Sequence, residues 1–420
     1  MANSEHLALI KQGVEVWNSW YAAHKKVTPN LARANLSNFE LKGINLKRAI
    51  LIQANLSNAD LSEAELNHAD LSRASLLGAN LSDAKFKNAN LDYVIWSKAV
   101  INSQTSMADK YLKVYQIVNR INKNKNLSGI DLSNSNLFNA DLSNVELSNA
   151  KLLNVNFNSA NLDSAYLYKA DLTGSNLQNT NLKNAYFSHA NLTSANLSGA
   201  FCCGTYFRDA ELKFANLKTA KFSDKTMIDF KWHSVWEIVN RGAVKKNLSD
   251  ADLSNADLQG SNFHEANLTN AKLSNAILRQ SNLANANLTN ADLSGADICG
   301  VYFDGANLKG AKLKSVISDR HTQLPTVGKK PNLIVQKKLV ATTPKLDETK
   351  IQPSNPNVSI AETNTMSKAQ PNKQSVSKLW LILLGIGGIA VGSIFLVQNP
   401  NHPLFQKFAV WKNQVEQLGQ

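Results

Sequence analysis

The chain has 420 residues, a formal charge of +13 and only 18% charged residues, and its Leu, Ala, Asn and Ser usage lies far from an average mixture. A bias of that kind points to internal repeats rather than to a set of ordinary domains. The charge is also localised, with nine lysines against three acids between Gln323 and Lys378 and repeat-bearing regions close to neutral or slightly acidic, which removes the compositional argument for a nucleic-acid partner.

The N-terminal stretch MANSEHLALIKQGVEVW carries a Glu and a His early, and its apolar run is too short for a signal peptide. Ile10, Val14, Trp17 and Tyr21 fall on one face and predict a helix within 1–30.

From Leu36 the chain repeats every fifth residue: Leu36, Leu41, Leu46, Leu51, Leu56, Leu61 and onward, with Phe86 and Leu91 in the same frame. A second block keeps the spacing from Leu127 to Phe222 and a third from Leu248 to Leu313, usually with Ala two residues before, as at Ala54, Ala160 and Ala286. A period of five fits neither the helical 3.6 nor the strand period of 2. The leucines become equivalent in space only if the chain turns by the same amount after every unit, so the sequence predicts a solenoid. Within a unit Ala and Leu point inward, and the three remaining positions carry Ser, Thr, Asn, Asp, Lys and Gly, which suit tight turns. Each buried Leu is worth roughly 1.5–3 kcal/mol, so several dozen stacked units make a stable core.

The units ANLSN, ADLSE, ADLSR, ANLSD and ANLTN resemble the pentapeptide-repeat family, with its A(D/N)LXX pattern, and with the anchor described below a membrane-anchored bacterial member of it. The resemblance implies an all-β solenoid, a right-handed, four-sided parallel β-helix with four units per coil. With coils about 4.8 Å apart, the second block of about twenty units would make roughly five coils.

Blocks are expected at 31–98, 127–222 and 248–320, with helical inserts at 99–126 and 223–247. The inserts are copies of each other: the segment from Tyr111 to Arg120 aligns with that from Trp232 to Arg241. Trp232, Val235, Trp236 and Val239 lie on one helical face, as do their counterparts around Tyr111 and Tyr115. An open coil end exposes unpaired backbone and apolar core, so these aromatic faces, and that of Trp17 in the first 30 residues, are expected to cap the ends of separate blocks. The alternative use of the same residues is a peptide or ligand groove.

The segment 321–377, rich in Pro, Lys, Thr, Asn and Gln, reads as a disordered basic tether. From Leu379 to Val397 run nineteen residues without a charge, which predicts a transmembrane helix over 378–398. Lys368, Lys373 and Lys378 before the span, against Lys407 and Lys412 after it, place the repeats on the cytoplasmic side of a single-pass, C-terminally anchored protein. Gly388 and Gly392 form a G-x-x-x-G pair that could serve a homodimer, and 399–420 reads as a short amphipathic tail.

Catalytic chemistry is missing. The sequence has no phosphate loop, H-E-x-x-H, C-x-x-C or nucleophile elbow, and His68, His189 and His264 occupy outward positions. Cys202, Cys203 and Cys299 cannot all pair and have no metal spacing, which points to a reducing compartment. The Asp residues before Leu, such as Asp60, Asp141 and Asp292, are single carboxylates that form no calcium cage. The many Asn-x-Ser/Thr matches are by-products of the repeat. The sequence therefore predicts a non-enzymatic scaffold without cofactor or metal, its partners being membrane lipid and other proteins. The second reading implied by the resemblance is a DNA-mimicking regulator of an enzyme such as gyrase. That would need an acidic rod, which the balanced charges of the first two blocks do not supply.

Overall fold

The computed structural model describes residues 1–322. The tether, the span from Leu379 to Val397, Gly388, Gly392 and the tail lie outside the described residues.

The unit Ala54-Asn55-Leu56-Ser57-Asn58 shows how five residues make one side of a coil. Ala54 and Leu56 are buried, and the Ala59 N–H donates to the Leu56 carbonyl at 3.2 Å, closing a turn with Asn58 at φ 57°. A positive φ at the third turn residue is the mark of a type II turn. Asn enters this left-handed region more readily than other side chains with a Cβ, and it holds the position at Asn38, Asn58, Asn134, Asn144, Asn275 and others. The Asn or Asp before each Leu has a separate task, since its side-chain oxygen accepts from the amide two residues on: Ser57 N–H to Asn55 Oδ1 at 3.1 Å, Ser62 N–H to Asp60 Oδ1 at 3.0 Å. Local chemistry thus assigns all five positions.

Parallel bridges join residues twenty apart, Asn35 with Asn55 and Asn55 with Ser75, so four units complete a coil. Successive coils are held by backbone bonds such as Leu56 N–H to Ser75 O and Ser75 N–H to Ala54 O, both 2.9 Å. Each side contributes a single bridge residue rather than a longer strand. Outside, the carboxamides form ladders: Asn156 Nδ2 donates to Asn136 Oδ1 at 2.9 Å, and Asn176 to Asn156 at 3.3 Å. Inside, leucines stack, with Phe187 on Phe207 at 5.2 Å between centroids. At several positions where Ser or Thr replaces the inward Ala, the hydroxyl donates to a carbonyl of the preceding coil: Thr180 to Phe157 at 2.8 Å, Thr205 to Leu182 at 2.7 Å and Ser281 to Leu258 at 2.9 Å.

Among the described residues there are four helices, α1 Ser4–Lys11 and α2 Val14–Ala23 ahead of the first coil, and α3 Asp109–Val118 and α4 Phe230–Arg241 between the runs of coils. The N-terminal stretch is therefore two helices rather than one, broken at Gly13, whose φ of 112° suits only glycine. The third run of units also starts earlier than the leucine frame indicates. Ala243 is fully buried at an inward position, its N–H bonded to Asn262 O at 2.8 Å.

The runs of coils are not separately capped bodies. Tyr93 N–H donates to Asn134 O at 2.9 Å, and Phe214 N–H to Asn255 O at 2.8 Å, so each run bonds directly to the next across its insert. Before each insert the coil gains one residue, Lys85 pairing with Ser106 and Tyr206 with Met227. A threonine closes the enlarged turn, Thr105 Oγ1 donating to Leu81 O at 2.9 Å and Thr226 Oγ1 to Cys202 O at 2.7 Å. Thr322 repeats the device on Ile298 O at 3.0 Å.

Candidate interaction surface

The aromatic residues singled out in the sequence sit at three different coil ends rather than in one groove. Trp17, fully buried on α2, donates from Nε1 to Asn45 O at 2.7 Å, and Tyr21 donates to Lys47 O at 2.8 Å. On α3, Tyr115 is buried with its hydroxyl on Ala99 O at 3.2 Å, and its ring meets Trp96 edge-on at 6.2 Å. Tyr111 is half-buried with its hydroxyl on Asp92 Oδ1 at 3.0 Å, and burial, then the Asp92 carboxylate, pushes its phenol up to about 12. On α4, Trp232 and Trp236 are buried, Trp236 donating from Nε1 to Ala220 O at 2.8 Å and stacking on Phe222 at 4.8 Å. For Trp17, Tyr21, Tyr115 and Trp236 the ring covers core while its polar atom satisfies a coil carbonyl.

Beside each aromatic works an asparagine that the sequence reading missed. Asn18 donates to Gly43 O at 3.1 Å and accepts from Asn45 N–H at 2.8 Å. Asn119 donates to Trp96 O at 3.1 Å and accepts from Lys98 N–H at 2.8 Å, while Asn240 does the same with Leu217 O and Thr219 N–H. A carboxamide has one donor and one acceptor side, as a peptide group has, so each replaces the missing coil at an exposed edge. The available signal was that Asn119 and Asn240 hold the same place in the two copies.

These helix faces are consumed by the fold, which leaves the outer sides of the coils for recognition. On the second run Tyr166, Tyr186 and Tyr206 occupy successive Asx positions and stack, with centroids 5.2 and 5.1 Å apart. Phe201 takes the Asx position of an adjacent side, 43% exposed, with the Lys221 ammonium 4.1 Å from its ring centroid. Tyr168 and Phe138 are also exposed. Burial pushes the Tyr166 and Tyr186 phenols up.

Among the described residues the cysteines and carboxylates form no cluster. Cys202 is buried in an inward position, its thiol pushed up by burial, and burial also pushes Cys299 up to about 11. Among the described residues no group of three or more His, Cys, Asp or Glu side chains could hold a metal ion, and no helix is long and apolar enough to cross a membrane.

The family described as pentapeptide repeats matches the chain in eight copies, over residues 30–67, 54–92, 126–152, 152–188, 185–224, 247–283 and 281–317. No curated protein matches the sequence. Among solved structures the chain is similar to HetL, a pentapeptide repeat protein involved in heterocyst differentiation regulation from the cyanobacterium Nostoc, at 26% identity over 73% of this chain and 96% of that one, with a TM-score of 0.16. It is similar to a pentapeptide repeat protein of the cyanobacterium Cyanothece at 34% identity over 25% of this chain and 64% of that one, TM-score 0.14. QnrB1, a plasmid-mediated fluoroquinolone resistance protein, matches at 12% identity over 70% of this chain and 93% of that one, TM-score 0.21. The chain belongs to the pentapeptide-repeat family, and its coils are those of that family's right-handed β-helix.

Proposed function

We propose that the protein is a non-enzymatic, membrane-tethered bacterial scaffold whose coils present flat, ordered sides to protein partners. One observation carries the reading. At Tyr166, Tyr186, Tyr206 and Phe201 the Asn or Asp that most often brackets the turn is replaced by an aromatic ring on the outside. Each replacement gives up a bond of about 0.5–1.5 kcal/mol, only partly offset by stacking, and leaves apolar surface in water. Folding alone does not ask for that, whereas a partner surface does, since exposed Tyr and Phe are the residues enriched at protein interfaces. The near-balanced charge of the first two blocks speaks against a DNA-like surface.

The uncharged run from Leu379 to Val397 supports the tether, and Gly388 with Gly392 would serve a homodimer contact in the membrane. Capture on the tagged full chain from detergent-solubilised membranes is expected to return a specific protein, and a return at background would contradict the reading. Deleting 379–420 is expected to move the protein from the membrane pellet to the supernatant while it stays folded. A folded, monodisperse deletion that still pellets would refute the anchor.

A further inference from the structure

On one edge of the first run, Arg33, Gln53, Arg73 and Tyr93 stack as the left-handed turn residues of successive coils, at φ 62°, 58°, 61° and 59°. Such positions favour Asn and Gly. In the copy that leads to the second insert, the matching residues are Asn154, Gly174, Ser194 and Phe214. The first copy thus places two arginines and a tyrosine where backbone conformation favours neither.

The column lines an open groove of about 510 Å³, completed by Ser72, Asn90 and, across the insert, Asn134. Arg33 Nε donates to Gln53 Oε1 at 2.8 Å, and the Arg73 guanidinium lies 5.4 Å from the Tyr93 ring centroid. Neither arginine has a carboxylate within ion-pair distance among the described residues, although Lys42 and Lys85 on the same run do, with Glu63 and Glu65. The groove's own carboxylate, Asp92, is engaged by Lys110 at 3.1 Å and by the Tyr111 hydroxyl at 3.0 Å. The groove therefore offers two uncompensated guanidinium groups and a row of neutral polar side chains.

We propose that this groove binds an acidic, extended peptide segment of a partner protein, with Arg33 and Arg73 each taking a carboxylate. The proposal rests on the scaffold reading and names the partner chemistry of one side. The arginine backbones are two coils apart, roughly 9.6 Å, and carboxylates on the same face of an extended chain recur every ~6.7 Å, a difference that two long side chains close by converging. Guanidinium forks match carboxylates bidentately. Nucleic acid fits less well, because Arg73 occupies a face of the Tyr93 ring on which a base would stack, and the run's balanced charge gives little counterion release. A small metabolite fits less well because the groove is open and does not enclose a ligand.

The test is fluorescence anisotropy on the full chain, with a fluorescein-labelled peptide of six alternating aspartates and glutamates and its Asn/Gln counterpart. Arg33→Asn and Arg73→Asn place a residue suited to the left-handed turn, so folding is retained and melting curves verify it. Each is expected to weaken acidic-peptide binding about tenfold, and the pair more, as loss of one charge-assisted pair each implies. Arg48→Asn, a left-handed arginine in another column of the same run, serves as the control and should change nothing. Equal binding of the two peptides, binding that survives the double variant, or an equal loss in Arg48→Asn would each overturn the proposal. If the peptide fails while membrane capture still returns a partner, the groove assignment falls and the scaffold reading stands.

Discussion

Two inward serines, Ser135 and Ser261, offer a quantitative test of how the inserts disturb the coils. Thr180, Thr205 and Ser281 stand at equivalent inward positions, and each donates to the carbonyl of a residue in the coil before. Ser135 and Ser261 stand in the coils that follow the inserts, where the regular coil before them is interrupted by α3 or α4. Both hydroxyls are buried, and neither has a partner among the described residues. A buried hydroxyl left unmade costs about 1–3 kcal/mol, whereas a made bond contributes a net 0.5–1.5 kcal/mol or so. Ser135→Ala and Ser261→Ala should therefore stabilise the protein by roughly 1 kcal/mol or more, and Ser281→Ala should destabilise it by about 1 kcal/mol. The chemistry of the three substitutions is identical and their sign differs. Urea midpoints followed by circular dichroism on the full chain would read this, using shifts rather than extrapolated energies because repeat arrays need not unfold in two states. If Ser261→Ala lowers the midpoint as much as Ser281→Ala does, the assignment of these serines to orphaned positions is wrong.

Leu167→Asp, which buries an unpaired charge in the second run, should unfold that run, while Asn179→Asp, at an outward turn, should be nearly silent; equal loss in thermal melts would refute the inward frame. The Asp131 carboxyl is held below its usual range chiefly by the Ser133 amide, and that of Asp292 chiefly by the Ser294 hydroxyl. The folded chain then releases these protons more readily than the unfolded chain, so their stabilisation is present above the unfolded value near 3.9 and is lost as pH falls through the lower folded values. Melting temperature should hold between neutral pH and about pH 5 and drop below it, and Asp131→Asn with Asp292→Asn, which keeps the amide bond, should shrink that drop. An acid-side drop of unchanged size would remove these carboxylates from the explanation.

Much of the fold was legible because a period of five admits no other element than a coil. Leucine frame, inward Ala and polar turns all follow from it, and Leu56, Leu167 and Leu288 are buried accordingly. Ala243 was missed because it stands where a Leu would have announced the unit. The closing turns at Thr105 and Thr226 were missed because one added residue shifts the frame there. The break at Gly13 was hidden by an apolar face that runs through both helices. Direct bonding of Tyr93 to Asn134 depends on register across an insert, and local sequence carries no such information. At the candidate surface, Trp17, Tyr115, Trp232 and Trp236 were identifiable by helical spacing, but Asn18, Asn119 and Asn240 read as ordinary polar positions until the coil edges they satisfy were known. Four units per coil already bring residues twenty apart together, so the tyrosine column and the arginine groove were within reach, but the outward positions were read only as polar turn positions.

The most direct measurement compares partner capture by the wild-type chain with capture by the triple variant Tyr186→Asn, Phe201→Asn, Tyr206→Asn, which restores an Asx residue at each position and so preserves the coil. A scaffold that recognises its partner through these rings loses that partner by tenfold or more while melting unchanged or higher, as expected when aromatic anchors are removed from an interface. Undiminished capture by a folded triple variant would contradict the assignment of this side as the partner surface.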